Sequence, residues 1–310
     1  EVGKGDLVWT SPITFVASAN CALYCGADVD FVDIDFQTNN MSIDALREKL
    51  ENARSLGRLP KVVIPVHMGG QSCDMKAIFA LSQEYGFRII EDASHAIGGR
   101  YEGRRVGSCE YSDIAVFSFH PVKIITTAEG GAALTNDKEI YDKLILLRSH
   151  GITRDPSQMT RSPEGGWYYE QLSLGFNYRM TELQAALGCS QMSRINDFVS
   201  KRNALAKNYN EQFSKLPIIL PVAPRGIYSS YHLYIIKLKD SASINRGKLF
   251  EQLRDSGIGV NVHYIPVHLQ PFYQSLGFSM GDFPVAECYY SKAISVPLHP
   301  GLSKAEQNRV

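Results

Sequence analysis

The sequence has no surplus of charge of either sign: Lys plus Arg is 32 and Asp plus Glu is 32. A phosphate-backbone binder draws on excess cations, and neither end of the chain shows a helix-turn-helix, so nucleic acid is not an expected partner. Nowhere does the chain approach the ~18 consecutive apolar residues of a membrane-crossing helix. The six cysteines, Cys21, Cys25, Cys73, Cys109, Cys189 and Cys288, form no C-x-x-C pair and no dense framework. That excludes a disulfide-stapled fold and fits reduced thiols. Cys21 and Cys25 share a helix face, but no His or Cys stands nearby at zinc spacing, so no metal site is expected. Internal repeats and low-complexity tracts are missing too. The first residue is Glu1 rather than Met, and no basic segment with an apolar core follows it; a cytoplasmic location is the expectation.

What is present is apolar residue enough for a sizeable core. Hydrophobic types make up 44% and charged types 21% of 310 residues, which gives room for two domains. Short apolar runs alternate with helical patterns over the first two-thirds. Strands are predicted over 7–10, 29–34, 61–66, 88–91, 113–119 and 132–135. A helix capped by Thr14 should run to Cys25 and stop at Gly26; others are predicted over 43–50 (capped by Ser42), 74–85 and 137–148. This alternation is the mark of an α/β fold with a mostly parallel sheet covered on both faces. Residues 149–173, rich in Gly, Pro, Ser and aromatics, read as a long functional loop. Helices over 181–195 and 197–215 follow. After Pro217, Pro221 and Pro224 the pattern becomes α+β, with a strand at 231–238, a helix at 245–256 and a strand at 259–263. The expected division is 1–196 for a large unit and 197–310 for a smaller one.

Parallel sheets place chemistry at the carboxyl ends of their strands. Asp92 closes the run RIIED, where a carboxylate is poorly solvated and wants a cationic partner. Lys123 follows the next strong strand, DIAVFSF. A pyridinium nitrogen needs a buried carboxylate and its aldehyde needs a desolvated lysine, and two neighbouring strand ends can present both.

At this point the sequence resembles a known family. The run Ser118-Phe119-His120-Pro121-Val122-Lys123, followed by Thr126-Thr127-Ala128-Glu129-Gly130-Gly131, is similar to the cofactor-lysine motif of the DegT/DnrJ/EryC1/StrS sugar aminotransferases. Further matches are PITFVASANCALYCGA at 12–27, FVDID at 31–35, EDASHAIG at 91–98, LRSHGI at 147–152, GFNYRMTELQAALGCSQ at 175–191, NVHYIPVHLQPFYQSLGF at 261–278 and ISVPLHPGLS at 294–303. The resemblance implies an aspartate-aminotransferase-like large domain, a smaller C-terminal domain, and pyridoxal 5'-phosphate as cofactor. It implies that Lys123 bonds the cofactor aldehyde and shuttles protons, and that Asp92 pairs with the ring nitrogen. Phe15 would stack on the ring, His95 would reach its phenolic oxygen, and Ser118 would donate to the phosphate. Asn177 would reach the phosphate from a neighbouring subunit, which makes a homodimer part of the expected site. His150, His263 and Tyr264 would line a sugar-nucleotide pocket.

The implied reaction moves the amino group of L-glutamate to C4 of a UDP-linked 4-keto-6-deoxy-N-acetylhexosamine, a step toward pseudaminic acid. Another nucleotide keto-sugar, GDP- or dTDP-linked, is the alternative substrate. A non-catalytic relative would have replaced Lys123. The family pattern also has a Ser-Gly-Thr phosphate turn ahead of the segment found here at Gly5–Val8, and no such turn stands in this chain. The expectation is therefore a partial copy with weakened or no cofactor binding and an inactive fragment as one outcome, its exposed sheet edge falling near Ala132–Thr135.

Overall fold

The structure, a computed structural model, describes residues 1–310. Its central sheet has six strands: β1 (Leu7–Thr10), β2 (Asp28–Phe31), β3 (Val62–Ile64), β4 (Arg88–Asp92), β5 (Ile114–Ser118) and β6 (Gly131–Leu134). Their spatial order is β2-β1-β3-β4-β5-β6. Every neighbouring pair is parallel except β5 with β6. The Val-Val-Ile run of β3 is buried throughout, as expected for a strand with covered faces. β6 forms one edge of the sheet, and its Leu134 is exposed.

Helices α1 (Ala17–Tyr24), α2 (Ile43–Ser55) and α3 (Met75–Tyr85) connect the first four strands. Ser42 Oγ accepts from Ala45 N–H at 3.2 Å and Asp74 Oδ1 from Ala77 N–H at 3.2 Å, so two of the three begin on a side-chain cap. Gly86 ends α3 in the left-handed conformation that only a residue without a Cβ adopts freely. The predicted cap at Thr14 does not form. α1 begins two residues later, behind Val16, because the Thr14 hydroxyl is bonded to Ser18 Oγ at 2.9 Å. Leu46 and Leu50 of α2 pack with Trp9, Val63, Ile78 and Leu81 on one sheet face. Each such side chain contributes about 1.5–3 kcal/mol by leaving water.

Helix α4 (Lys138–Leu147) follows β6, and α5 (Glu182–Met192) leads into the long α6 (Ile195–Phe213). α6 serves two cores. Its Ile195 and Val199 pack with Ala93, Ala96 and Phe117, whereas its Ala206, Tyr209 and Phe213 pack beneath a second sheet. That sheet is antiparallel, with β7 (Ile218–Ile219), β8 (Tyr234–Leu238) and β9 (Ala293–Val296) in that order. Helices α7 (Arg246–Asp255) and α8 (Pro284–Lys292) lie between β8 and β9 in sequence. The strand predicted at 259–263 reduces to a single bridge, Asn261 to Ser295. The chain leaves the sheet there because His263 and Tyr264 turn inward, Tyr289 Oη donating to the carbonyl of His263 at 2.5 Å. The largest apolar cluster joins Val8, Ile13 and Phe31 to Ile235, Val267, Tyr273 and Tyr289, so the last third of the chain packs directly on the central sheet.

Candidate active site

A cavity of about 800 Å³ opens where β4 and β5 end and the segments 259–264 and 295–299 face them. Two neighbouring strands supply its chemistry. β4 ends at Asp92, whose backbone ties the tip of β3: Asp92 N–H donates to Pro65 O at 2.9 Å, and His67 N–H donates to Asp92 O at 3.1 Å. The carboxylate is held on both oxygens. Ser18 Oγ donates to Oδ2 at 2.5 Å and Ser94 N–H to Oδ1 at 3.0 Å. An aspartate so fixed cannot rotate away from what it is aimed at.

β5 ends at Ser118, and the loop to β6 folds back on itself. Lys123 N–H donates to His120 O at 2.9 Å, Thr127 N–H to Phe119 O at 3.0 Å, and Phe119 N–H to Gly130 O at 2.8 Å. Gly130 sits at φ +156, and a Cβ there would overlap Thr127 Oγ1 and stand 2.8 Å from Met180 Cε. Lys123 is thus carried on a braced loop with its side chain on the cavity wall, and its amine makes no hydrogen bond or ion pair with the protein. Burial pushes the Lys123 ammonium below the usual lysine range, and the nearby charge of Asp92 pulls partly back.

Five of the eight histidines line the same cavity: His95, His120, His232, His263 and His299. Burial holds His95 well below the ordinary range, with the charges of His232 and Lys123 acting in the same direction. His95 Nδ1 accepts from Gly69 N–H at 3.3 Å, which assigns the proton to Nε2, 3.2 Å from Tyr264 Oη. Burial and then the charge of Asp92 raise the Tyr264 phenol, so it stays protonated. His263 is pushed down to about 4 by burial and by Lys123, and its Nδ1 lies 2.8 Å from Ser295 Oγ. Burial thus holds three of these imidazoles, His95, His232 and His263, toward the neutral form, on walls that also carry Lys123 and the clamped Asp92. Phe15, 61% exposed, offers a bare ring at the mouth, 6.4 Å from the Tyr264 ring.

Of the residues singled out from the sequence, Phe15, Asp92, His95, Ser118, Lys123, His263 and Tyr264 share this cavity. Asn177 and His150 do not. They sit side by side on the loop after α4, where Asn177 bridges Ser149 and His150 N–H donates to Phe176 O at 2.8 Å. Sequence reasoning missed Ser18, Ser94, Arg202 and His232. Ser94 had a signal, since it stands two residues after Asp92 at a strand end, where an Asx-type turn is common. The other three come to the cavity only through packing of distant segments.

Comparison with known proteins places this geometry. The sequence model of the DegT/DnrJ/EryC1/StrS aminotransferase family matches residues 1–310. The spore coat polysaccharide biosynthesis protein SpsC of Bacillus subtilis is 40% identical over 306 residues, 97% of this chain and 76% of that protein. The UDP-4-amino-4,6-dideoxy-N-acetyl-beta-L-altrosamine transaminase of Campylobacter jejuni is 38% identical over 304 residues, 96% of this chain and 75% of that one. Among solved structures, Helicobacter pylori PseC, an aminotransferase involved in the biosynthesis of pseudoaminic acid, superposes with a TM-score of 0.88. It is 33% identical and covers 98% of this chain and 77% of its own. Spr1654 of Streptococcus pneumoniae in its PLP form gives 0.86 at 30% identity, over 99% and 79% of the two chains.

Proposed function

The chain belongs to the DegT/DnrJ/EryC1/StrS aminotransferase family, whose members depend on pyridoxal phosphate, and we propose that it aminates C4 of a UDP-linked 4-keto-6-deoxy-N-acetylhexosamine with L-glutamate as donor. The observation that carries the reading is the pairing of an unbonded, desolvated Lys123 amine with a clamped Asp92 carboxylate in one cavity. Similarity to the Campylobacter transaminase and to PseC supports the sugar.

The residues present fit the cofactor. A flat aromatic face, Phe15, stands bare at the cavity mouth, a fixed carboxylate waits without a cationic side-chain partner, and a lysine amine is left free. Pyridoxal phosphate, when bound, supplies an aldehyde that accepts amino groups and a ring that withdraws electrons. The protein does the rest. Lys123, with its proton affinity lowered by burial, presents a neutral amine near neutral pH more readily than a solvated lysine and can give and take a proton at Nζ. Asp92, locked by Ser18 and Ser94, would hold the ring nitrogen and favour its protonated form. Phe15 would cover the ring, Tyr264 and the neutral His95 would donate toward oxygen atoms of the bound groups, and Ser118 would meet the phosphate. With only Asp92 and Glu129 as lining carboxylates, the cavity offers little repulsion to ligands of net negative charge.

Leu174, Phe176, Tyr178 and Leu183 are exposed around Asn177. They support pairing of two copies through this face, which would deliver Asn177, and His150 beside it, to a partner's cavity. Six cysteines without a disulfide fit a reducing, cytoplasmic setting. The similarity to SpsC favours a second reading, in which another nucleotide keto-sugar is the acceptor. Incubating the protein with pyridoxal phosphate, glutamate and a panel of UDP-, dTDP- and GDP-linked 4-keto-sugars separates the two by mass spectrometry. A UDP-linked amino sugar is expected, and a product from the GDP or dTDP sugars alone overturns the assignment.

A further inference from the structure

One cation on the cavity wall has no part in the chemistry above. Arg202 lies within α6 and is 5% exposed, yet no carboxylate pairs with it. Its Nη1 donates to three carbonyls, Tyr231 O at 3.0 Å, His232 O at 3.2 Å and Leu298 O at 2.8 Å. Its Nε is buried without a partner, and Nη2 reaches no protein acceptor. Beside it, His232 is buried and lines the same cavity, with Nδ1 equally unpartnered. A desolvated guanidinium is costly to leave uncompensated, and buried orphan donors are rare enough to need a reason. The carbonyls absorb one nitrogen only. The edge left unpaired, Nε with Nη2, is the planar two-donor fork that matches the two oxygens of a carboxylate.

We propose that the Nε–Nη2 edge of Arg202, with His232 Nδ1 next to it, binds one carboxylate of the amino-acid donor and so fixes the donor in the cavity it shares with Lys123. The inference rests on the aminotransferase reading. It adds a donor subsite built by α6 and the loop before β8, where His232 packs beside His95 with ring centroids 4.5 Å apart. A phosphate oxygen pair of the nucleotide sugar has the same chemistry, so the test must separate the two sources.

Isothermal titration of the pyridoxal-phosphate-loaded protein with glutarate, which lacks a reactive amine, reads the subsite directly. Glutaramide serves as the uncharged control and UDP as the phosphate arm. Glutarate should bind and be displaced by L-glutamate, and glutaramide should not bind. Arg202→Gln should weaken glutarate on the order of tenfold or more, the loss of a charge-assisted pair, while leaving UDP affinity and the cofactor absorbance in place. Arg202→Lys, a point charge without the fork, should fall between. Unchanged glutarate affinity in a folded Arg202→Gln protein overturns the proposal, as does a loss of UDP binding in place of glutarate binding. Should that variant not fold, His232→Phe carries the test, because it keeps the backbone carbonyl that Nη1 reaches; unchanged glutarate affinity there overturns the proposal equally. Failure of the parent reading looks different: the unaltered protein would bind glutarate yet transfer no amino group from any donor. Failure of the inference alone leaves transfer intact, with the same KM for glutamate in wild type and Arg202→Gln.

Discussion

His263 has its proton affinity pushed down from 6.5 to about 4, by burial first and by the Lys123 charge second. The folded protein therefore keeps this ring neutral, whereas the unfolded chain protonates it as soon as the pH falls below 6.5. Stability from this site is complete above that value and is lost progressively as the pH drops toward 4. At about 1.4 kcal/mol per unit the full span is worth roughly 3 kcal/mol, and about 2 after allowing for the part of the ring open to the cavity. His95 and His232 are shifted in the same direction, so the acid limb should be steeper than one histidine gives. Equilibrium urea unfolding between pH 7.5 and 4.5 measures the slope. His263→Asn isolates its share. The variant forfeits the hydrogen bond to Ser295 Oγ, about 1 kcal/mol at neutral pH, but carries no ring to protonate. Its stability curve should start below that of the wild type and cross it near about pH 5.5. Parallel curves over the whole range would refute the argument, because they would mean that His263 titrates alike in the folded and unfolded chain.

Three more outcomes follow from the same geometry. Lys123→Ala should abolish both turnover and the cofactor–lysine absorbance band while leaving the melting temperature within a few degrees, since the amine makes no protein bond that folding needs. Asp92→Asn keeps the shape and one acceptor oxygen for Ser94 N–H, so calorimetry should find the fold little changed. Losing a charge-assisted hydrogen bond to the ring nitrogen, worth about 1.5–3 kcal/mol, should lower the rate with glutamate by roughly one to two orders of magnitude. Gly70→Ala should destabilise by about 3 kcal/mol or more in urea titrations. Gly70 sits at φ +102, and a Cβ there would overlap Ser230 Oγ and approach His232 N and His95 O to 2.9 Å.

Much of the large sheet was legible in the sequence. An apolar run such as KVVIPV reads as a strand buried on both faces, and Ser42 and Gly86 mark helix ends by chemistry that needs no distant partner. Thr14 misled because its hydroxyl serves Ser18, and Ser18 serves Asp92, a bond between residues 74 apart in the chain. The segment 259–263 misled for a similar reason: its apolar alternation suits a strand, but His263 and Tyr264 are drawn to the cavity.

The sequence by itself indicated that a lysine and an aspartate can be presented at two strand ends, because a parallel sheet puts its chemistry at the carboxyl ends of its strands. Tertiary structure alone decided what surrounds them. Ser18 clamps Asp92, His232 leans on His95 with ring centroids 4.5 Å apart, and Arg202 arrives from α6 with a buried, unpaired Nε. None of these contacts has a local signal, because each joins segments far apart in the chain, and a side chain carries no record in sequence of the distant wall it will share.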